Sequence, residues 1–452
     1  MAATAVIIAI AVAVSAGGSA PKPTAPAGSS PPPPSGGLPS EPGSVPTPPV
    51  TGDGDDNNND GNNSNNGGPS SPHATGGMQF TPIPDPNLPQ LSDPALKVDK
   101  VVQGLSMPTS MAFVGDRNLL ILQKEDGKVL LVSNGVLQPE PLATFDVEPA
   151  SERGLLGVAT HESDVFVYAT EKSESSGEVR NRVYRFTWAD GALTNKTRIL
   201  DLPGEPGPNH DGGKMITGPD GALYVVIGDL NRNGVLQNYH NGPAPDDTSV
   251  ILKVDREGRA LANVLAQGSL PAYYAYGVRN SFGLALDPLT GALWDTENGP
   301  EDYDEINLVH PGFNSGWERV MGPMSRGSAT AADLVQLEGS HYADPLFSWA
   351  DAQGVTDLAF SRLPGKYDGN LFAGDINNGN LYFFRVNEAR DGLVLEGEGL
   401  ADGVADDEGE LAQVTLGTGF GGISDIEAGP DGNMYVLSYW GALYRVSLAA
   451  AQ

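Results

Sequence analysis

A unit of three short apolar segments recurs six times from about residue 95 to the end of the chain. The segments alternate apolar and polar side chains and are bounded by Gly, Asp, Asn or Pro, which is typical of strands joined by tight turns. The first segments of the six units are Thr109–Phe113, Gly154–Ala159, Lys214–Gly221, Phe282–Pro288, Val355–Phe360 and Ile423–Gly432. A small β unit cannot bury both faces alone, so such repeats pack around a common axis. The sequence therefore predicts an all-β chain folded as a six-bladed β-propeller.

The segment from Leu96 to Val102 belongs to none of the six units. We expect it to add the outer strand of the last blade, which would close the ring and remove two sheet edges. The number of residues in 95–452 is also larger than six minimal blades require. Long loops on one face should hold the surplus, and such loops usually carry the function of a fold.

The N-terminal region differs from the rest in composition. Residues 1–16 are almost all Ala, Val and Ile, which suits the apolar part of a secretion signal and is short for a membrane span. Ser15, Ala16 and Gly17 are small enough for a cleavage site, but no Lys or Arg precedes them. We therefore predict a secreted or extracytoplasmic protein, with an uncleaved N-terminal anchor as the alternative.

Residues 17–94 are rich in Pro, Gly, Ser and Asn, and 19 of the 37 prolines of the chain lie before residue 95. Such a segment has too little apolar surface to offset the entropy of ordering it. The sequence thus predicts three parts: a signal peptide or anchor over 1–16, a disordered linker over 17–94, and a propeller domain over 95–452, whose loops should carry the function.

Charge and cysteine content exclude several classes of function. The chain carries 26 Lys and Arg against 57 Asp and Glu, a formal net charge of −31. A surface so acidic repels phosphate groups, which argues against nucleic-acid partners and against polybasic membrane docking. The chain has no cysteine, which excludes disulfides, thiolate metal sites and cysteine nucleophiles.

Three polar loops at the beginnings of units hold candidate functional residues. His210 lies among Asn, Asp and Gly, where a histidine is free to act as a general base, although an ordinary surface histidine fits the same pattern. Arg279 and Asn280 offer a fixed cation and an amide to an anionic or carbonyl ligand, or a local ion pair. The stretch Glu297–Asn307 has five carboxylates and two amides, a composition that suits Ca²⁺ or a solvated acidic loop.

The order of these motifs resembles a known family. The motifs are Glu152–Gly157, Asn209–Gly213, Arg279-Asn280, Glu297–Pro300, Asp304–Asn307 and Gly312–Trp317. In order and spacing they are similar to the soluble pyrroloquinoline-quinone (PQQ) sugar dehydrogenases, the glucose/sorbosone dehydrogenase family of six-bladed propellers. The resemblance covers about residues 95–448. It implies an oxidoreductase that uses PQQ and Ca²⁺ to oxidise an aldose at C1 to its lactone, with an external electron acceptor.

The resemblance also implies roles for the residues of the cofactor pocket. His210 matches the general base that takes the proton of the anomeric hydroxyl. Arg279 matches the residue that polarises the reacting quinone carbonyl, and Asn280 its cofactor-binding neighbour. Glu152 falls where the family has an amide or acid that lines the pocket, and Asn209 stands where the family has an acid beside the base.

For the metal, the resemblance points to a turn and a strand. Gly299 and Pro300 match the backbone carbonyls that hold the Ca²⁺ bridging to PQQ, and Glu305 matches an acid of a structural Ca²⁺ site.

The chain departs from the family where the cofactor carboxylates are gripped. Asn377, Gly422 and Ser424 occupy the stretches in which the family has one Lys and two Arg, and Arg326 or Arg362 are loop cations that could replace them. Two alternatives to the dehydrogenase therefore stay open. One is a non-catalytic carbohydrate- or protein-binding propeller, and the other is a Ca²⁺-dependent hydrolase of the lactonase type.

Overall fold

The computed structural model describes residues 78–173, 175–265 and 271–450. The predicted signal or anchor and most of the predicted linker lie outside these residues. In the described part, no helix is long and apolar enough to cross a membrane.

Nearly all regular structure in the described residues is β. In chain order the strands are β1 Gln90–Leu91, β2 Leu96–Gln103, β3 Pro108–Val114, β4 Asn118–Gln123, β5 Lys128–Ser133, β6 Val136–Leu137, β7 Ala143–Thr144, β8 Leu155–His161, β9 Asp164–Lys172, β10 Val179–Ala189, β11 Ala192–Pro203, β12 Met215–Thr217, β13 Leu223–Ile227, β14 Val250–Val254 and β15 Tyr273–Tyr276. They continue as β16 Gly283–Leu286, β17 Leu293–Glu297, β18 Asp302–Val309, β19 Phe313–Asn314, β20 His341–Tyr342, β21 Phe347–Asp351, β22 Val355–Phe360, β23 Leu371–Asp375, β24 Leu381–Val386, β25 Leu393–Val394, β26 Val404–Ala405, β27 Thr415–Thr418, β28 Ile423–Ala428, β29 Met434–Ser438 and β30 Ala442–Leu448. One α-helix, α1 Glu408–Val414, and short 3₁₀ turns at Val235–Gln237, Met324–Arg326, Ala331–Asp333, Gly365–Tyr367 and Leu400–Asp402 complete the elements of the described residues.

The strands form six sheets, numbered here in chain order by their first strands β3, β8, β12, β16, β22 and β28. Each first strand pairs antiparallel with the next strand along the chain. The six first strands also contact one another in a closed cycle, from β3 through β8, β12, β16, β22 and β28 back to β3. Sheets arranged in this way around an axis form a propeller, so the predicted all-β propeller is confirmed.

The ring is closed by strands from the two ends of the domain. β2 pairs antiparallel with β30, from Leu96 opposite Leu448 to Gln103 opposite Ala442. The sixth sheet therefore runs β2-β30-β29-β28 and joins the beginning of the domain to its end. This pairing confirms the predicted role of the segment Leu96–Val102, which covers an edge of β30 that would otherwise be open.

The predicted linker boundary at residue 94 is wrong, because residues 78–94 lie on the propeller. Met78 and Phe80 are buried in an apolar cluster with Tyr435. Ile83 forms a β-bridge with Lys100, and β1 pairs with β27. The segment has few apolar side chains, so its composition predicts disorder. These few side chains are nevertheless enough to attach it to the propeller, because the folded surface provides apolar pockets and backbone hydrogen-bond partners.

Apolar side chains fill the spaces between neighbouring sheets. Between the fourth and fifth sheets, for example, the rings of Trp294 and Phe360 meet edge to face, with centroids 5.7 Å apart, while Trp349 and Tyr382 lie fully buried beside them. Central strands such as Leu223–Ile227 are buried on both faces, which explains their continuous apolar runs.

Strand direction decides which loops lie together. In each sheet the first strand starts at the end of the ring where the second strand finishes, because the two are antiparallel. The loops before β8, β12 and β16 therefore share one end of the ring with the loops that follow β13 and β17. These loops contain Glu152, His210, Arg279, Asp229 and Asn298.

Candidate functional site

Glu152 joins the loops of three sheets. Its Oε2 accepts hydrogen bonds from the backbone N–H of His210, at 2.7 Å, and from Nδ2 of Asn280, at 2.9 Å. These residues precede the first strands of the second, third and fourth sheets. The structure thus brings together three residues that the sequence separates by up to 128 positions.

The His210 ring is held by a carboxylate. Its Nδ1 lies 2.6 Å from Oδ1 of Asp229, a buried residue. The other oxygen of Asp229 accepts a hydrogen bond from Nε1 of Trp317 at 2.7 Å, and Oδ1 also accepts from the backbone of Asn231 at 2.8 Å. An ionised carboxylate only accepts, so Nδ1 of His210 carries the proton of this pair, and in the neutral ring Nε2 has the free lone pair. That is the arrangement of a general base.

Close backbone contact places His210 beside Arg279. Gly228 lies between them, and a Cβ at this position would come within 2.4 Å of the His210 carbonyl oxygen and 2.6 Å of the Arg279 carbonyl oxygen. The backbone N–H of Asp229 also donates to the carbonyl of Arg279 at 2.9 Å. Any side chain larger than hydrogen at Gly228 would push the two loops apart.

The guanidinium of Arg279 is held by one hydrogen bond and by an aromatic ring. One terminal nitrogen donates to the carbonyl of Asn298 at 2.9 Å, and the guanidinium carbon lies 5.2 Å from the centre of the Trp317 ring. The backbone N–H of Arg279 donates to Oε2 of Glu297 at 3.0 Å. Burial lowers the pKa of Arg279, and the charges of Asp229 and nearby acids oppose this shift. A cation held so rigidly suits an anionic or strongly polar ligand.

Three buried polar atoms of the site have no hydrogen-bond partner among the described residues. They are Nε of Arg279, Oδ1 of Asn280 and Oδ1 of Asn298. Buried polar groups are almost always satisfied in folded proteins. One unpaired donor and two unpaired acceptors in neighbouring residues therefore indicate a ligand-binding site.

The turn at Gly299-Pro300 connects β17 and β18 and is tightly held. The backbone N–H of Gly299 donates to Oδ1 of Asp304 at 3.0 Å, and a Cβ on Gly299 would lie 1.9 Å from the carbonyl oxygen of Asp302. The second oxygen of Asp304 accepts from the backbone N–H of Val355 at 2.9 Å. Asp304 thus stabilises the turn and ties it to the fifth sheet.

Glu305 does not join Gly299 and Pro300. It lies next to Asp304 on β18 and so points to the opposite face, where it stands across from Glu297 with Asp295 nearby on β17. All three acids are buried, and Asp295 has no hydrogen-bond partner for either oxygen among the described residues. Burial and mutual repulsion raise the pKa of each of them. No group of three or more His, Asp or Glu side chains among the described residues is arranged as a metal site.

Asn209 stands at the rim of the site. Its backbone N–H donates to the side chain of Asn231 at 3.1 Å, and its side-chain oxygen accepts from the hydroxyl of Ser151. Neither of these two hydrogen bonds of Asn209 involves Glu152 or Arg279.

The structure adds two residues that the sequence analysis did not single out. Asp229 closely follows the buried strand β13, at the end of the ring where the loops converge. This position in the sequence could have identified Asp229 as a candidate site residue. Trp317 closes the motif Gly312–Trp317, but its hydrogen bond to Asp229 and its stacking on Arg279 could not be read from spacing.

Neither loop cation considered from the sequence lies free at the site. Arg326 pairs with Asp402 and Asp406. Arg362 follows β22, whose first residue Val355 lies at the site, so it belongs to the opposite end of the ring.

The acids near the departing positions are satisfied internally. Asp375 accepts hydrogen bonds from the backbone of Asn378 and Gly379 and from the hydroxyl of Tyr382. Asp425 accepts from Nζ of Lys214 at 2.8 Å. Asp425 is thus paired with a cation, whereas Asp375 is held by neutral hydrogen-bond donors only. Although burial itself acts to raise the pKa of Asp425, the opposite charge of Lys214 lowers it below its ordinary value.

Comparisons with known proteins identify the family of this chain. The sequence model of the family Glucose / Sorbosone dehydrogenase matches residues 105–445. The chain is 26% identical over 260 residues to the aldose sugar dehydrogenase YliI of Escherichia coli K12, covering 54% of this chain and 61% of that protein. It is 26% identical over 287 residues to quinoprotein glucose dehydrogenase B of Acinetobacter calcoaceticus, covering 57% of each. The chain thus spans about three fifths of the length of these two relatives.

Among solved structures, a putative oxidoreductase (glucose dehydrogenase) from Thermus thermophilus superimposes with a TM-score of 0.62 and 29% identity. The match covers 78% of this chain and 99% of that one. With the family match extending over most of the propeller, this chain belongs to the glucose/sorbosone dehydrogenase family.

Proposed function

We propose that this protein is an exported sugar dehydrogenase that oxidises an aldose at C1 to its lactone, with PQQ as cofactor and Ca²⁺ as metal. The observation that carries the proposal is the placement of the His210–Asp229 pair beside Arg279, with Trp317 in contact with both Asp229 and the guanidinium. A base and a cation at one site are what the oxidation of a hydroxyl by a quinone requires of a protein. We also infer that each of the six sheets is one blade of the propeller.

The residues present fit a polar cofactor that has both anionic groups and hydrogen-bond donors. Arg279 supplies a cation with an unpaired Nε, and Asn280 and Asn298 supply unpaired amide oxygens. The charge of Asp425 is offset by Lys214, and the carboxylate of Asp375 is engaged by backbone N–H groups and the hydroxyl of Tyr382. Bound PQQ would supply an acceptor for the hydride of the sugar C1.

The chain's own residues divide the remaining chemistry. Nε2 of His210 would take the proton of the C1 hydroxyl, while Asp229 keeps Nδ1 protonated and stabilises the positive charge that develops on the ring. Arg279 would hold an anionic oxygen of the cofactor in place. Glu152 fixes the backbone of His210 and the side chain of Asn280 in one frame, so that base and cofactor pocket keep their separation.

Two places in the chain suit Ca²⁺. The carbonyl oxygens of Gly299 and Pro300 lie in a turn outside the strand pairing, next to the site. Asp295, Glu297 and Glu305 are buried together and both oxygens of Asp295 lack a hydrogen-bond partner among the described residues, so a hard cation bound here would offset the repulsion between these acids. We propose that Gly299 and Pro300 hold a cation at the cofactor, and that Glu305 contributes to a structural one.

The direct test is PQQ binding to the full chain by calorimetry, with Ca²⁺ and with EDTA, followed by turnover of a panel of aldoses with a dye as external acceptor. Tight, Ca²⁺-dependent binding with turnover would support the proposal. No binding at high micromolar PQQ would overturn it and favour the binding module or the lactonase. His210→Ala should bind PQQ normally but lose at least about 100-fold in kcat, whereas His161→Ala, at the far end of β8, should retain activity.

Export rests on the apolar residues 1–16. Fractionation of cells expressing the full chain should place the protein outside the cytoplasm. Retention in the cytoplasm would contradict this part of the proposal and leave the enzymatic part untouched.

A further inference from the structure

Trp317 contacts both halves of the proposed machinery through different parts of its side chain. Its Nε1 donates to Oδ2 of Asp229 at 2.7 Å, while Oδ1 of the same carboxylate lies 2.6 Å from Nδ1 of His210. The face of the indole lies against Arg279, with 5.2 Å between the guanidinium carbon and the ring centre. One side chain thus touches the partner of the base and the cation of the cofactor pocket.

The backbone around Trp317 is fixed, so the indole has a defined position. Its N–H donates to the carbonyl of Gly277 at 3.1 Å, two residues before Arg279. Its carbonyl accepts from Nδ2 of Asn238 at 2.7 Å, and Asn238 and Asn314 exchange side-chain hydrogen bonds at 2.8 and 3.0 Å. Trp317 is therefore held from the third sheet on both sides.

The two contacts do different physical work. Oδ1 of Asp229 accepts from His210 and from the backbone N–H of Asn231, and the indole N–H engages the other oxygen, which limits rotation of the carboxylate. The indole face supports the guanidinium through a cation–π contact, which needs the aromatic ring but not the N–H. Substitutions can therefore separate the two roles.

We propose that Trp317 is a positioning residue that sets the distance between the general base and the cofactor-binding cation, its N–H orienting His210 through Asp229 and its ring face orienting Arg279. The inference rests on the proposed function for its kinetic consequences. Its structural part, the control of the His210–Asp229 hydrogen bond, is independent of any cofactor.

The first measurement uses the protein without cofactor. The Nδ1 proton of His210, shared with Asp229, should give a low-field proton NMR resonance that is absent in His210→Gln. Trp317→Phe and Trp317→Leu should each shift this resonance upfield or broaden it, while Trp188→Phe, a half-buried tryptophan on β10 remote from the site, should leave it unchanged.

The second measurement separates the two contacts. Trp317→Phe keeps an aromatic face, so the Kd for PQQ should stay within about 2-fold while kcat falls about 10-fold with little change in KM. Trp317→Leu should in addition weaken PQQ binding by about 5-fold or more, within the range of a partly buried cation–π contact. Trp188→Phe should match the unsubstituted protein in both quantities.

An unchanged resonance and an unchanged kcat in Trp317→Phe would overturn the inference, as would equal PQQ affinities of the Phe and Leu variants. If the unsubstituted protein neither binds PQQ nor oxidises sugars, the proposed function fails. The NMR resonance then still decides whether Trp317 positions His210.

Discussion

Nζ of Lys214 lies 2.8 Å from Oδ2 of Asp357. This ion pair connects the start of the third sheet to the first strand of the fifth. The same ammonium lies 2.8 Å from Oδ1 of Asp425 in the sixth sheet. Burial alone would lower the pKa of Lys214, but the two carboxylates raise it above its ordinary value. Three sheets that are not all consecutive in the ring are thus connected by one buried cation.

Removing this cation should be costly. Lys214→Met would leave the carboxylates of Asp357 and Asp425 buried without their partner, which destabilises proteins by about 3–5 kcal/mol. The free energy of unfolding from urea titration measures the effect. Lys97→Met is the matched control, since Lys97 is half exposed and pairs with Asp99 at the surface, where such pairs contribute little. Equal stability of the two variants would contradict the structural role of Lys214.

Asp211 should make stability depend on pH. Burial raises the pKa of Asp211 from 3.8 to about 7, although Asn181 and Arg153 act to lower it. Between about pH 4 and pH 7 the folded protein therefore holds a proton that the unfolded chain has released, and stability falls as the pH rises through this window, by about 4 kcal/mol in total. Above pH 7 both states are ionised and the slope from this group ends.

Asp211→Asn removes that slope, because an amide does not titrate. The difference in unfolding free energy between the variant and the unsubstituted protein should therefore shift in favour of the variant from pH 4 to pH 8. Asp190→Asn, on an exposed turn, controls for loss of a surface carboxylate. Parallel stability curves for Asp211→Asn and the unsubstituted protein would rule out this explanation.

Phe80 should anchor the segment before β1 to the ring. Its ring is buried and lies 5.5 Å from that of Tyr435, so Phe80→Ala should lower the free energy of unfolding by about 3–4 kcal/mol. Val136→Ala, at an exposed valine, should change it by less than about 0.5 kcal/mol. A negligible effect of Phe80→Ala would restore the sequence-based view that the linker extends to residue 94.

Calcium should stabilise the folded protein. After EDTA treatment, Ca²⁺ at 100 times its Kd should raise the free energy of unfolding by about 2.7 kcal/mol. Glu305→Gln should reduce this gain, because it removes one of the buried carboxylates that would bind the cation, whereas Glu388→Gln, outside the buried cluster, should not. If Ca²⁺ leaves the melting temperature of the unsubstituted protein unchanged, the buried acids are neutralised by protons alone.

Local patterns were sufficient to predict much of this molecule. Strands alternate or are continuously apolar according to how many of their faces are buried, so the repeated segments and the closing segment at Leu96 could be identified from residue type. The loops that carry His210, Arg279 and Gly299 follow from the same repeat, because each stands at a fixed place relative to a strand. Proximity of these loops was implied by the ring.

Particular side-chain partners could be known only from the tertiary structure. The contacts of Asp229 with His210 and Trp317, and of Lys214 with Asp357 and Asp425, join residues that lie 19 to 211 positions apart. Such contacts depend on how the sheets pack against one another, which leaves no periodic trace in the sequence. Residues 78–94 show the same limit, because their place on the propeller depends on a surface formed by distant strands. Composition and periodicity indicate whether a segment forms a strand or a loop. Which side chains meet at this site is decided by the packing of the six sheets around the ring.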